Sequence, residues 1–117
     1  MKTKQEKLNR LTFKAVHIET KEVVIVTPLH EHFLDVFKNK KWIMLQQAER
    51  TDVKGNLLYE GDILQLVYQP DQKGFVVFVG GCFELKKKTG HILLSEVETE
   101  NIVCVGNIHV NPEVLKG

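Results

Sequence analysis

The 117-residue chain has little of what usually announces a chemistry. It contains two cysteines, three prolines and one tryptophan, and Ser95 is its only serine. Cys82 and Cys104 stand apart with no Cys-x-x-Cys spacing. Neither a disulfide framework nor a zinc-ribbon pattern is therefore encoded, and two buried, reduced thiols are expected. No Gly-x-Ser-x-Gly elbow surrounds Ser95, which removes that route to a serine hydrolase. The longest uninterrupted apolar run, residues 75–79, is far short of the roughly 20 residues needed to cross a bilayer as a helix. The opening MKTKQEKLNRLTFKAV is basic but lacks the apolar stretch and small-residue cleavage site of a signal peptide, and a cytoplasmic location is expected. Charge of one sign is missing too. Sixteen Lys+Arg face 15 Asp+Glu, which argues against a uniformly basic DNA-binding surface. An ordinary apolar share at low net charge excludes intrinsic disorder.

Alanine is scarce as well: Ala15 and Ala48 are the only two, against 22 Val and Ile. Alanine favours helices and β-branched side chains fit a pleated surface, so the bias points to a mainly β, β-rich α+β protein. A length near 13 kDa suits one domain that needs no disulfide or metal to fold. Residues 1–10, with Lys2, Lys4, Lys7 and Arg10 against Glu6, are expected to form a flexible basic arm, and residues 11–117 the domain. Strand character begins at 11–18, turns at 19–21 and resumes at 23–26. One helix is expected over about 28–39, with Thr27 as cap, Pro28 in the first turn and an apolar stripe of Leu29, Phe33, Val36 and Phe37.

Residues 42–46 read as a strand, 48–56 as a polar connection with a turn at Lys54-Gly55-Asn56, and 57 onward as a meander. Its strands are expected at 62–69, 75–79, 82–86, 91–95 and 102–105. Turns are expected at 70–74, at Gly80-Gly81 and at 88–90. About eight short strands and one covering helix favour a small closed or partly open β-barrel of antiparallel strands, because closure removes exposed edges. Phe75, Val76, Val77, Phe78 and Val79 are apolar on both faces of their strand. They are the expected face for a homo-oligomer, unless the helix covers them.

Two segments carry a family resemblance. Asp52-Val-Lys-Gly-Asn-Leu-Leu-Tyr-Glu-Gly-Asp-Ile63 resembles an Asp-x-x-Gly turn followed by Ile-Tyr-Glu-Gly-Asp-Ile/Val, and Val105-Gly-Asn-Ile-His-Val-Asn-Pro-Glu-Val-Leu115 resembles a closing Ile-Gly-Asn-Ile-Tyr-Glu-Asn-Pro-Glu-Leu-Leu. Gly74-Phe-Val-Val-Phe and Gly81-Cys-Phe-Glu-Leu85 match the Gly-x-Val and Gly-x-Phe-x-Leu spacing between them. Together these patterns resemble the YopX family of bacteriophages and prophages. Phe13-Lys-Ala15 is similar to the family's Lys-Phe-Arg-Ala-Trp opening, with Val16 in place of Trp, and Glu49-Arg50-Thr51 stands where the family has Tyr-Thr-Gly. The resemblance implies a phage-encoded or prophage-encoded cytoplasmic protein with a mainly β fold, and no established enzymatic activity.

The motif residues have structural and chemical readings. Gly61 suits a positive φ at a strand entry, Asp62 suits backbone N–H bonds there, and Tyr59 anchors the turn with a buried ring. Gly106, Asn107, Asn111 and Pro112 suit fold closure and a terminal helical turn. The chemical alternative is an acidic cation site of Glu60 and Asp62 with Asp52 or Glu49, and with it a metal-assisted enzyme. His30 and His32 point to different sides of a helix, and His17, His91 and His109 are dispersed, so no ligand set or cofactor is expected. A three-dimensional site of Cys82, Cys104 and a histidine is a remaining alternative. Lys86, Lys87 and Lys88, with Lys73 nearby, form the best basic patch, flanked by Phe83 and Tyr68. Glu96, Glu98 and Glu100 are expected one strand away, where they would neutralise it. The leading expectation is a non-catalytic accessory module that self-associates and binds an unidentified phage or host protein, with no membrane role. The alternative is a nucleic-acid-binding barrel that uses the lysine hairpin.

Overall fold

Alternation of buried and exposed residues settles most of the chain into strands in the computed structural model, which describes residues 12–28 and 33–116. In chain order these are β1 (Phe13–His17), β2 (Val23–Val26), α1 (Phe33–Lys38), β3 (Trp42–Thr51), β4 (Leu57–Tyr59), β5 (Asp62–Leu66), β6 (Gln69–Val79), β7 (Cys82–Lys87), β8 (Gly90–Leu93) and β9 (Ile102–Asn107). Three short 3₁₀ segments complete the set: η1 (Leu94–Glu96), η2 (Thr99–Asn101) and η3 (Pro112–Lys116). The strands form two antiparallel sheets, ordered β2-β1-β3-β4 and β8-β7-β6-β5-β9. The protein is thus mainly β, in two antiparallel sheets, neither of which closes on itself into the closed or partly open barrel expected from the sequence. Strand count and length carry no information on closure, which depends on whether the first and last strands of a sheet meet.

Packing resolves the chain into two units, Met1–Gln47 and Ala48–Gly117. In the first, β1 lies between β2 and β3, with Ala15 opposite Val24 on one side and Met44 on the other. Ala15, Val16, Val26 and Leu45 are its buried side chains among the described residues. The β1–β2 turn is held by His17, whose Nδ1 accepts the Glu19 and Thr20 N–H groups at 3.2 Å each. Of the helix expected over 28–39, the described residues show α1 at Phe33–Lys38, ending one residue early; it buries none of its residues and leaves Leu34 and Phe37 exposed. Its contact with β1 is aromatic, Phe33 meeting Phe13 with ring centroids 5.7 Å apart. The basic arm expected at 1–10, and Leu29, His30, Glu31 and His32 of the expected helix, lie outside the described residues.

The second unit has the larger core. Leu64, Val76 and Leu85 point the same way from the neighbouring strands β5, β6 and β7, and they join Ala48, Leu58, Leu94, Val97 and Ile102. Burying a side chain of this size contributes about 1.5–3 kcal/mol each. Gly80 and Gly81, at φ +59° and +83°, make the two-residue turn between β6 and β7. Two left-handed residues there match the twist of the flanking strands.

The expected turn at 70–74 is not one. The chain reverses earlier, at Val67 and Tyr68, and β6 begins at Gln69. Leu66 faces Gln69 and Gln65 faces Lys73, so Pro70, Asp71 and Gln72 have no opposite residue on β5. Turn-like residues are absorbed there as a bulge, where proline's missing N–H interrupts no ladder bond. Similarly, the expected polar connection at 48–56 is shorter, because β3 continues to Thr51. The strand expected at 91–95 ends at Leu93 and passes into η1. Glu96 lies in η1 and Glu98 and Glu100 at η2, so they do not form a strand facing the lysines. Val97, alternating with these glutamates, is instead drawn into the core. Cys82 and Cys104 are both free, but Cys82 is exposed at the hairpin end and Cys104 half-buried. Apolar neighbours in sequence do not bury a residue that sits where a strand leaves its sheet.

Candidate nucleic-acid interface

The two family-like motifs meet in the second unit. Gly61, at φ +83°, enters β5, donates its N–H to the Val76 carbonyl (2.7 Å) and accepts from Ile108 N–H (2.9 Å). Asp62 is fully buried and accepts the Tyr59 N–H on Oδ2 (2.8 Å) and the Asn107 side-chain amide on Oδ1 (2.9 Å). The same amide donates to the Glu60 carbonyl (3.2 Å), and Asn107 Oδ1 accepts the His109 N–H (2.9 Å). Asn111 closes the next loop by accepting the Asn107 N–H (2.9 Å). Gly106 is required beneath it, since a Cβ would lie 2.7 Å from Asn111 Oδ1. Pro112 then starts η3.

Asp52 is a second hub. Its carboxylate accepts N–H bonds from Lys54, Asn56 and Cys104, each at 2.9 Å, and the Asn56 side-chain amide at 3.2 Å. Burial pushes this carboxyl up, but the Cys104, Asn56 and Lys54 donors outweigh it and hold it below the usual carboxylate range. The carboxylates of Asp52 and Asp62 thus point at amides. Among the described residues no group of three or more His, Cys, Asp or Glu is placed to hold a metal ion, and the cluster expected from Glu60, Asp62, Asp52 and Glu49 does not form. Buried Tyr59 and half-buried Glu60 flank the Gly61 turn.

The lysines converge instead. Val76 of β6 points into the core, so its neighbours Lys73, Phe75 and Val77 stand on the outer face of the five-stranded sheet. Phe75 is opposite Lys86 of β7, which is opposite His91 of β8. Segment η3 contacts β6 and β9, and Lys73 Nζ donates to the Val114 carbonyl at 3.2 Å. Between these elements lies a groove of about 520 Å³ lined by Lys73, Phe75, Lys86, Lys87, Lys88 and Lys116, with Asp71, Gln72, Thr89 and Leu115 at its margins.

Five lysines and one carboxylate leave a local excess of four positive charges in a chain of net charge +1. No ion pair neutralises Lys86, Lys87, Lys88 or Lys116 among the described residues. The nearest acidic side chain on β7, Glu84, is taken by His91 Nδ1 at 2.9 Å. Lys73, Lys86, Lys87 and Lys88 were legible in the sequence. Lys116 was not, because its approach depends on η3 folding back on β6. Phe83, expected to flank the lysines, instead points toward the core with Phe78 (centroids 4.8 Å), and Tyr68 is exposed at the preceding turn. Of the apolar run 75–79, only Val76 is buried; Phe75, Val77 and Phe78 are half-buried and Val79 is exposed. Arg50, noted in the sequence only as a departure from the family pattern, bridges η1 and η2 by donating to the Leu94 carbonyl and to Thr99 Oγ1 (3.0 Å).

A family model described as YopX protein matches residues 2–116. The chain belongs to the YopX family. Among solved structures it is similar to the crystal structure of protein yopX from Bacillus subtilis, with a TM-score of 0.53 at 16% identity, covering 91% of this chain and 96% of that one. At that identity the likeness concerns the fold. No curated protein matches the chain. Among the described residues, no helix of this YopX-family protein is long and apolar enough to cross a membrane.

Proposed function

We propose that this YopX-family protein is a non-catalytic binding module whose lysine groove takes the backbone of a nucleic acid. The observation that carries the reading is the convergence of Lys73, Lys86, Lys87, Lys88 and Lys116 beside Phe75, with Asp71 the single carboxylate on the groove wall. Lysines clustered along a cleft release counterions from a phosphate chain, and this term supplies most sequence-independent affinity. The phage or prophage setting and cytoplasmic location implied by the family resemblance belong to the same proposal. Binding of labelled oligonucleotides should weaken steeply between 50 and 200 mM salt, and Lys86→Ala/Lys87→Ala/Lys88→Ala should flatten that dependence. Absence of binding at low salt would refute it.

A second reading, self-association and protein binding, is favoured by a different observation. Val79 is 56% exposed beside half-buried Phe78 and Val77. In that reading Val77 and Val79, on the face opposite Phe78, meet a second copy of the chain or a phage or host protein. Light scattering at high micromolar concentration should then report a dimer or larger, shifted toward monomer by Val79→Lys. A monomer throughout would rule out self-association.

A further inference from the structure

We infer that the groove is built for single-stranded nucleic acid, with Phe75 as the platform on which one base stacks; this rests on the nucleic-acid reading above. Three features of the groove select this occupant. The first is the position of the aromatic ring. Phe75 lies on β6, the middle strand of its sheet, on the face opposite to that of Val76, half-buried across from fully buried Ile63 of β5, while Val76 fills the core. An aromatic ring on an outer sheet face with lysines around it supplies the two components of non-specific single-strand recognition, a stacking surface and a track of positive charge.

The second feature is size. A recess of about 520 Å³ has the scale of a small-molecule pocket. That is room for a base with its sugar and phosphate, whereas a duplex, whose bases are stacked on each other, offers Phe75 no free π-face. Duplex contact would be confined to the rim lysines.

The third feature is the chemistry of the walls. Lys86 stands opposite Phe75 across the β6–β7 ladder, and Lys73 stands two residues before it on the same face. A stacked base therefore has its flanking phosphates within a lysine's reach on either side. Gln72 and Asp71 on the bulge and Thr89 on the β7–β8 turn add amide, carboxylate and hydroxyl groups at the margin. A single strand leaves base edges free to meet such groups, whereas a duplex has them paired.

The test uses the full chain and fluorescence anisotropy with labelled 12-nucleotide single-stranded DNA, single-stranded RNA of the same sequence, and the corresponding duplex. The proteins are wild type, Phe75→Leu, which keeps an apolar side chain without a ring, and Lys86→Ala/Lys87→Ala/Lys88→Ala. Thermal melts confirm that each variant is folded. Single strands should bind at least about tenfold more tightly than duplex. Phe75→Leu should lower single-strand affinity by about fivefold or more, the lower end of what one base–aromatic stack contributes. The same change should leave duplex affinity and the slope of log K against log salt unaltered. The triple lysine variant should reduce that slope by about 2 for single strands, at roughly 0.7 per phosphate contact. Comparing the DNA and RNA arms identifies which single strand is preferred. Equal affinity for duplex, or no effect of Phe75→Leu on single strands, would overturn the single-strand inference while leaving the nucleic-acid reading standing. No binding to any of the three would overturn both.

Discussion

At the residue scale, the most consequential side chains of the second unit are short and polar. Asp52, Asp62 and Asn107 are buried, and their partners are mostly backbone amides. Each satisfies donors that a turn leaves open, which a buried turn must do or lose a full desolvation penalty per group. Because donors hold the Asp52 carboxyl below its ordinary range, its stabilisation is present above the unfolded carboxylate value and is lost as pH falls through the folded one. Asp52→Asn should therefore cost about 1.5–3 kcal/mol near neutral pH. Urea denaturation of both proteins should show the gap closing as the solution is acidified below about pH 4. Gly61 and Gly55 provide a second, paired test. Both have positive φ, but a Cβ on Gly61 would sit 3.0 Å from His109 Cδ2, whereas nothing lies within 4 Å of one on Gly55. Gly55→Ala should cost about 1–2 kcal/mol for left-handed backbone alone, and Gly61→Ala measurably more in the same denaturation experiment.

At the element scale, β6 links the core to the groove. Its even-numbered residues Gly74 and Val76 turn to the core side, and Lys73 and Phe75 turn outward. Gly74 has no room for a side chain, since a Cβ would lie 2.7 Å from the Lys86 carbonyl. Gly74→Ala is expected to disturb the β6–β7 ladder and with it the placement of the lysine hairpin. Amide exchange from Val76 to Lys87 should quicken even where the melting temperature falls only slightly. Arg50 is the one side chain that hydrogen-bonds to both η1 and η2 among the described residues, beside the core contacts of Leu94 and Val97. Arg50→Ala should release both, and fast exchange confined to residues 94–101, with β6 and β7 still protected, is the expected signature.

The element scale is also where sequence reading did best and failed most instructively. The Gly80-Gly81 hairpin was legible because positive φ at two consecutive residues leaves few alternatives to glycine. The turn read at Pro70 was misplaced, because the same proline and polar residues serve a bulge as well as a reversal. Only the register of β5 against β6 distinguishes the two. The helix stripe at Phe33 and Phe37 was found, but local periodicity did not reveal that Leu34 and Phe37 stay exposed.

At the scale of the whole molecule, net charge is a poor guide to what binds. The chain carries +1 overall, yet the groove alone carries an excess of four positive charges, balanced by acidic residues placed elsewhere. A charge-matched control separates local from global electrostatics. Lys21→Ala/Lys38→Ala/Lys40→Ala removes the same three charges as the hairpin triple variant. It should leave oligonucleotide affinity within about twofold if the groove lysines rather than the net charge set binding in screening salt. Filter binding at fixed salt with both triple variants makes the comparison.

By itself the sequence determined the β character of the chain, its main hairpin and its YopX-type motifs. These rest on short-range properties, namely β-branched side chains, positive-φ glycines and short polar residues that mimic backbone. It also displayed Lys86, Lys87 and Lys88 as a run. Tertiary structure alone decided that the sheets stay open, that Asp62 meets Asn107 across 45 residues of chain, and that Lys116 joins Lys73 and Lys86 around Phe75. The physical reason is common to all three. Strand register and the return of the C-terminal 3₁₀ segment bring distant residues together, and no local pattern records which residues will share a face.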